Sequence, residues 1–148
     1  MDKIQKGVKD FMLAAGQTVR SKPTVAPFDE RVLRVKLLLE ETLELAEASG
    51  VKVSLNGAAI DETQIQYVLN GDVDMVLVAD SIADISYVNY GAALCYGIDM
   101  EPIEQIVQDA NMAKFGEGSY KRTDGKWMKP ANWETPDKLI NEELHKQS

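Results

Sequence analysis

The sequence predicts an all-α protein, a helical bundle with small β excursions near residues 51–70 and 119–129. Three observations predict it. Apolar residues recur at helical spacing in four separate runs, at 3–15, 28–49, 73–96 and 101–114. Gly16, Gly50 and Gly97 stand just past the first three runs, where a helix most readily stops. β-leaning composition is confined to two short stretches outside them. No linker, repeat or low-complexity tract divides the chain, so residues 1–148 read as a single domain.

In the first run the apolar positions are Ile4, Val8, Phe11, Met12 and Ala15, one helical face. Residues 17–27 hold Pro23 and Pro27 and no period, and read as a loop. The long second helix opens at Phe28, with Asp29 the expected N-cap. Its apolar positions, among them Val32, Leu33, Val35, Leu37, Leu38, Leu39, Leu43 and Leu45, are broader than one stripe needs. That breadth implies contact on two sides, including another subunit. Val51 to Leu55 alternates, and Ile65 to Gly71 is a second β-leaning run. The segment between them is longer than a tight hairpin needs. The third helix is the most apolar part of the chain, with Asp72 the expected N-cap. Its small residues, Ala79, Ala83, Gly91, Ala92 and Ala93, leave room for another helix to approach closely. Pro102 suits the first turn of the fourth helix. Beyond Phe115 the chain reads as a hairpin around Asp124-Gly125, then a Trp133 segment between Pro130 and Pro136, then a short exposed helix.

Composition narrows the function. A chain of 148 residues, 45% hydrophobic and 27% charged, can bury a core and is not of the disordered class. A net charge of −8 argues against nucleic acid and anionic membranes as partners, since both call for a basic patch. With one cysteine, Cys95, no intrachain disulfide can form, and the cytoplasm is the expected compartment. Its setting, A-A-L-C-Y, suits a small core residue. No run reaches membrane-spanning length.

The candidate chemistry lies in two carboxylate groups. Glu40, Glu41 and Glu44 follow Leu37-Leu38-Leu39, and helical spacing puts Glu40 with Glu44, and Glu41 with Glu44, on shared faces. A solvated acidic face is the ordinary explanation for such a run. Asp80 and Asp84 resist that explanation better, because they interrupt a very apolar helix where an unpaired charge is costly. Carboxylate pairs on two helices suit hard divalent cations, Mg²⁺ or Mn²⁺. The only histidine is His145, near the C-terminus, so a di-iron Glu-x-x-His site and a zinc site both lack ligands.

E-E-T-L-E at 40–44 resembles the E-E-x-x-E motif of the MazG-like nucleoside triphosphate pyrophosphohydrolases, the superfamily that includes dimeric dUTPases and phosphoribosyl-ATP pyrophosphohydrolases. D-S-I-A-D at 80–84 resembles its second metal motif, and N-M-A-K at 111–114 its later Asn-x-x-Lys. F-M-L-A-A-G-Q at 11–17, the K-P at 22–23 and G-K-W-M-K-P-A-N-W-E-T-P-D at 125–137 extend the likeness over about residues 8–137. Where many members carry Glu-x-x-Asp on the second helix, this chain has Asp80 four residues before Asp84 and a serine at 81. Both spacings return to one helical face.

The resemblance implies a MazG-like bundle and cleavage between the α- and β-phosphates of a (deoxy)nucleoside triphosphate, in nucleotide-pool cleaning or adjustment. It implies Glu41, Glu44, Asp80 and Asp84 as ligands of Mg²⁺ or Mn²⁺, with Glu40 or Glu41 serving the attacking water. Asn111, Lys114, Lys126, Lys129, Gln17 and Trp133 are the implied substrate contacts, Trp133 either stacking a base or anchoring the tail. Arg34 and Lys36 can pair with the acidic motif or reach phosphate. A homodimer or dimer of dimers is the implied assembly. Other readings are a substrate such as dUTP, a modified nucleotide or phosphoribosyl-ATP, and a non-catalytic acidic helical interaction protein.

Overall fold

The computed structural model describes residues 3–123 and 127–148, excluding the side chains at positions 62, 91, 92 and 95. Five α-helices run through the described residues: α1 (Lys3–Ala14), α2 (Phe28–Ala48), α3 (Met75–Cys95), α4 (Met100–Met112) and α5 (Asp137–Gln147). Two antiparallel ribbons accompany them, β1 (Ser54–Leu55) with β2 (Ala58–Ala59), and β3 (Tyr120–Lys121) with β4 (Trp127–Met128). The fold is all-α with small β excursions, as the periodicity predicts. The chain divides into two compact units, Met1–Lys22 with Ala79–Ser148, and Pro23–Val78.

The larger unit is built around α4. Asp99 caps it, its carboxylate accepting the Glu101 N–H at 3.2 Å. Pro102 occupies the first turn, where a missing N–H costs nothing. One side of α4 meets α1, and there the Gln108 amide donates to the Gly7 carbonyl at 3.0 Å. A Cβ at position 7 would stand 2.8 Å from Gln108 Cδ, so any larger residue there would push the Gln108 side chain aside and disturb this hydrogen bond. α5 also packs on α4. Gln147 closes that end: its Oε1 accepts from Asp99 N–H at 2.9 Å while its amide donates to the Asp99 carbonyl at 3.1 Å. The most buried apolar side chains of the described residues, Ala15 at 6% and Ile103 at 8% exposure, lie in this unit.

An aromatic column joins the later chain to this frame. Phe11 of α1, Phe115 and Trp127 of β4 meet in succession as tilted rings, with centroids 5.2 and 4.8 Å apart. Phe115 sits in a short 3-10 turn, Ala113–Phe115, that continues α4. The Trp127 indole N–H donates to the Lys114 carbonyl at 2.9 Å. The β3–β4 ribbon pairs Tyr120 with Met128 and Lys121 with Trp127. The expected Asp124-Gly125 turn between them lies outside the described residues, as does the expected core role of Cys95 outside the described side chains.

The smaller unit holds α2, the first ribbon and the first residues of α3. Three sequence expectations are corrected here. α2 starts at Phe28 with Pro27, not Asp29, in the cap position, and Asp29 instead lies in the first turn, where its charge still favours the helix dipole. α3 is capped by Asp74 and not Asp72. The Asp74 carboxylate accepts from the Val76 and Leu77 N–H groups at 2.9 and 3.2 Å. Finally, the ribbon after α2 is a tight hairpin: Leu55 pairs with Ala58 directly across Asn56-Gly57. Both turn residues have positive φ, 52° and 81°, as a two-residue hairpin turn of the favoured hand demands. Residues 65–71 form no strand.

α1, α2 and α3 stop where expected, at Gly16, Gly50 and Gly97 with φ of 67°, 70° and 69°. No helix among the described residues is long and apolar enough to cross a membrane. α3 carries large apolar side chains that the chain itself leaves open to solvent, Val76 and Leu94 at 77% and Val88 at 64%. Leu37, Leu38 and Leu45 of α2 are likewise exposed.

Candidate functional site

α2 presents Glu40, Glu41 and Glu44 from two adjoining turns of an unbroken helix. Glu41 and Glu44 are exposed, and Glu40 is half-buried. Lys36, one turn earlier, holds its ammonium 3.6 Å from the Glu40 carboxylate. That pairing offsets part of the repulsion among three carboxylates on neighbouring turns. Thr42, exposed on the same helix, folds its hydroxyl back on the preceding turn and donates to the Leu38 carbonyl at 2.7 Å. Asp80 and Asp84 stand on α3, one turn apart and both exposed. The three glutamates belong to the smaller unit and the two aspartates to the larger. Among the described residues no three histidine, cysteine or acidic side chains gather closely enough to hold a metal ion. Their donor chemistry is all oxygen and all anionic, which fits Mg²⁺ or Mn²⁺.

The second group of predicted residues is drawn together at the end of α4. Asn111 and Lys114 are both half-buried, and the Lys114 ammonium donates to Asn111 Oδ1 at 2.8 Å. Trp133 lies across the same end, its indole N–H donating to the Ala110 carbonyl at 2.8 Å. Lys114 Nζ is 5.5 Å from the Trp133 ring centroid, and Lys129 Nζ is 3.9 Å from it. Four of the predicted substrate residues therefore form one cluster around a single indole. Gln17 is half-buried just past the α1 stop, its backbone N–H donating to the Met12 carbonyl at 2.8 Å. Lys126 lies outside the described residues.

Sequence reasoning did not find a cleft of about 320 Å³ in the larger unit, lined by Lys3, Ile4, Tyr90, Glu101, Glu104 and Gln108 among others. Tyr90 of α3 donates its hydroxyl to the Glu104 carboxylate at 3.0 Å across it. The two residues are fourteen apart in sequence on different helices, so no local spacing announces the pair.

Residues 8–111 match the family described as phosphoribosyl-ATP pyrophosphohydrolase, PRA-PH. The matched span includes both carboxylate groups and ends at Asn111. Among solved structures, the chain is similar to a crystal structure from Exiguobacterium sp. 255-15, named as a candidate NTP pyrophosphohydrolase. The two superpose with a TM-score of 0.76 at 25% identity, over 99% of this chain and 96% of the other. No curated protein matches the chain.

Proposed function

From the premise that the chain belongs to the phosphoribosyl-ATP pyrophosphohydrolase family, within the MazG-like superfamily, we propose that it hydrolyses (deoxy)nucleoside triphosphates between the α- and β-phosphates, using Mg²⁺. The products are a nucleoside monophosphate and pyrophosphate, and the role is nucleotide-pool cleaning or adjustment in the cytoplasm. The observation that carries the reading is the family match over 8–111, because it includes Glu40, Glu41, Glu44, Asp80 and Asp84. A nucleoside triphosphate is preferred as substrate because the similar Exiguobacterium protein, which this chain covers nearly end to end, carries that name. Phosphoribosyl-ATP is the second reading, favoured by the name of the family itself.

In this reading Glu41, Glu44, Asp80 and Asp84 would hold the cation, which when bound would supply charge neutralisation at the triphosphate and a more acidic water. Glu40, steadied by Lys36 at 3.6 Å, accepts the proton of the attacking water. The water oxygen bonds to phosphorus as the bridging P–O bond breaks, and pyrophosphate departs with the bridging oxygen. The test is pyrophosphate release from a panel of NTPs, dNTPs, dUTP and phosphoribosyl-ATP, in Mg²⁺, Mn²⁺ and EDTA. Release that EDTA abolishes is the expected result. Orthophosphate release alone would move the scissile bond, and no release from any member would favour a non-catalytic acidic interaction protein.

We also propose a homodimer, or a dimer of dimers, that covers the exposed apolar residues of α2 and α3. Large apolar side chains exposed in such number along a helix are the usual mark of a surface that another chain covers. Sedimentation velocity at micromolar concentration is expected to give at least twice the 16.4 kDa chain mass. A monomer under those conditions would overturn the assembly.

A further inference from the structure

We propose that the hydrogen bond from Tyr90 to Glu104 positions the aspartates of α3, holding Asp80 and Asp84 in a fixed relation to the α4 helix. The proposal rests on the pyrophosphohydrolase reading and deepens it, since it identifies what aligns the helix bearing the aspartates with the helix that ends at the substrate contacts.

The two helices are held very differently. α4 is braced by α1 and α5, and its first turn is closed by Gln147 on Asp99. α3 instead leaves Ile82, Tyr87, Val88 and Leu94 exposed, so side-chain packing restrains it weakly. It passes into α4 through a short turn in which Gly97 has a φ of 69° and the Ile98 N–H donates to the Ala93 carbonyl at 3.0 Å. A glycine cap of this kind ends a helix without fixing the angle at which the next one leaves. Tyr90 supplies that angle. Its hydroxyl crosses to α4 and donates to the half-buried Glu104 carboxylate at 3.0 Å, a charge-assisted bond that sets a distance between the helices.

Helix geometry carries the effect of this bond to the aspartates. At 1.5 Å per residue, about 10 Å of chain separates Gly97 from Tyr90, and about 20 Å separates it from Asp84. A swing of α3 about the turn is therefore about doubled at Asp84 and larger again at Asp80. Misplacing reacting groups by about 1 Å can cost about a hundredfold in rate, so about half an ångström of slack at Tyr90 is enough to matter. The cleft of about 320 Å³ that Tyr90 lines is open space beside it, so packing alone does not stop the swing. Neither Tyr90 nor Glu104 is a metal or substrate ligand in this reading. Both are positioning residues.

The test compares Tyr90→Phe, Glu104→Leu, Glu104→Gln and the double variant Tyr90→Phe/Glu104→Leu with wild type, each as the full chain. Tyr90→Phe keeps the ring and loses only the donor, while Glu104→Gln keeps an oxygen that can accept. Hydrogen exchange over residues 80–90, read by mass spectrometry without metal or nucleotide, reports docking directly, because a helix released from its neighbour is marginal in water. Tyr90→Phe and Glu104→Leu are each expected to speed that exchange about tenfold, the loss of one exposed hydrogen bond to a charged group. The double variant should exchange no faster than either single one, and Glu104→Gln should stay near wild type. In turnover, Tyr90→Phe and Glu104→Leu should each lower kcat about tenfold. Their Mn²⁺ affinity, measured without nucleotide, should hold, since the proposed ligands lie on α2 and α3. A merely structural loss would instead lower melting temperature and Mn²⁺ affinity together, and that result overturns the proposal. So does unchanged exchange in Tyr90→Phe, or an unchanged kcat in an enzyme that turns over. If exchange rises in Tyr90→Phe but wild type releases pyrophosphate from no nucleotide, the tie between the helices stands and the reaction reading falls.

Discussion

Glu44→Ala and Asp84→Ala are each expected to lower kcat/KM by more than about a hundredfold, since even residues one step removed from a metal cost 10–100-fold when lost. Glu44 is the sharper choice on α2 because it shares a face with both Glu40 and Glu41. Removing it breaks two potential chelating pairs at once. Asp84 is the corresponding choice on α3, one turn from Asp80. A merely disruptive mutation would also lower activity, so stability without metal is the second readout. Both side chains are exposed, and like charges at helical spacing repel by a few tenths of a kcal/mol. Without metal, then, neither variant should melt below wild type, and Glu44→Ala should melt slightly above it. Wild type should gain about 2.7 kcal/mol in metal at a hundredfold its Kd, and the variants much less. Full activity in either variant, with an unchanged response to Mn²⁺, would remove that residue from the metal set.

Trp127→Ala is expected to cost about 3 kcal/mol, at the lower end of the range for losing a large aromatic because Trp127 is only half-buried. Three losses combine. The tilted ring contact with Phe115 at 4.8 Å disappears, which leaves Phe115 with Phe11 as its one remaining aromatic partner in the column. The Lys114 carbonyl loses its indole donor at 2.9 Å, worth about 1 kcal/mol. Apolar area returns to water in a unit whose helices have few other large buried side chains. Trp127→Phe keeps the stack and drops only the hydrogen bond, so about 1 kcal/mol should separate it from wild type. Urea unfolding measures both. An alanine variant within 0.5 kcal/mol of wild type, the ordinary scatter of surface substitutions, would show that the column does not hold β4 to α4.

What the sequence reveals about this fold follows from how local each signal is. α1, α2 and α3 are legible because a 3.6-residue period and a following glycine both operate within a few residues. The caps are less so. Asp72 and Asp74 flank Val73 with equal chemistry, and only the observed path of the backbone selects Asp74. The Asn56-Gly57 hairpin defeats propensity: its returning strand is Ala58-Ala59, two poor β formers, and the more β-like Val68-Leu69 stays outside any strand. Turn geometry outweighed composition there. Carboxylates on α2 and α3 stand out because charge in an apolar helix is conspicuous in one dimension. Lys129 and Trp133 are reached in the sequence only through the family resemblance, and their contact with each other is not. They are four apart in an irregular segment, and their contact exists only because Pro130 turns the chain. Tyr90 and Glu104 are more remote still, joined by a reversal between two helices that no helical period spans.

The Gln147 bridge to Asp99 has a meaning for how the chain is made. At roughly 5–20 residues per second of synthesis, the 48 residues that separate the two positions take roughly 2–10 s to appear. α1 is already outside the ribosome by then, so α4 can dock on it first, using Gly7 and Gln108. The backbone at the start of α4 acquires its side-chain seal from α5 only after the rest of the larger unit has been made. The end of α5 is therefore the last part of that seal to be made, and a chain ending before residue 147 would leave the first turn of α4 without it.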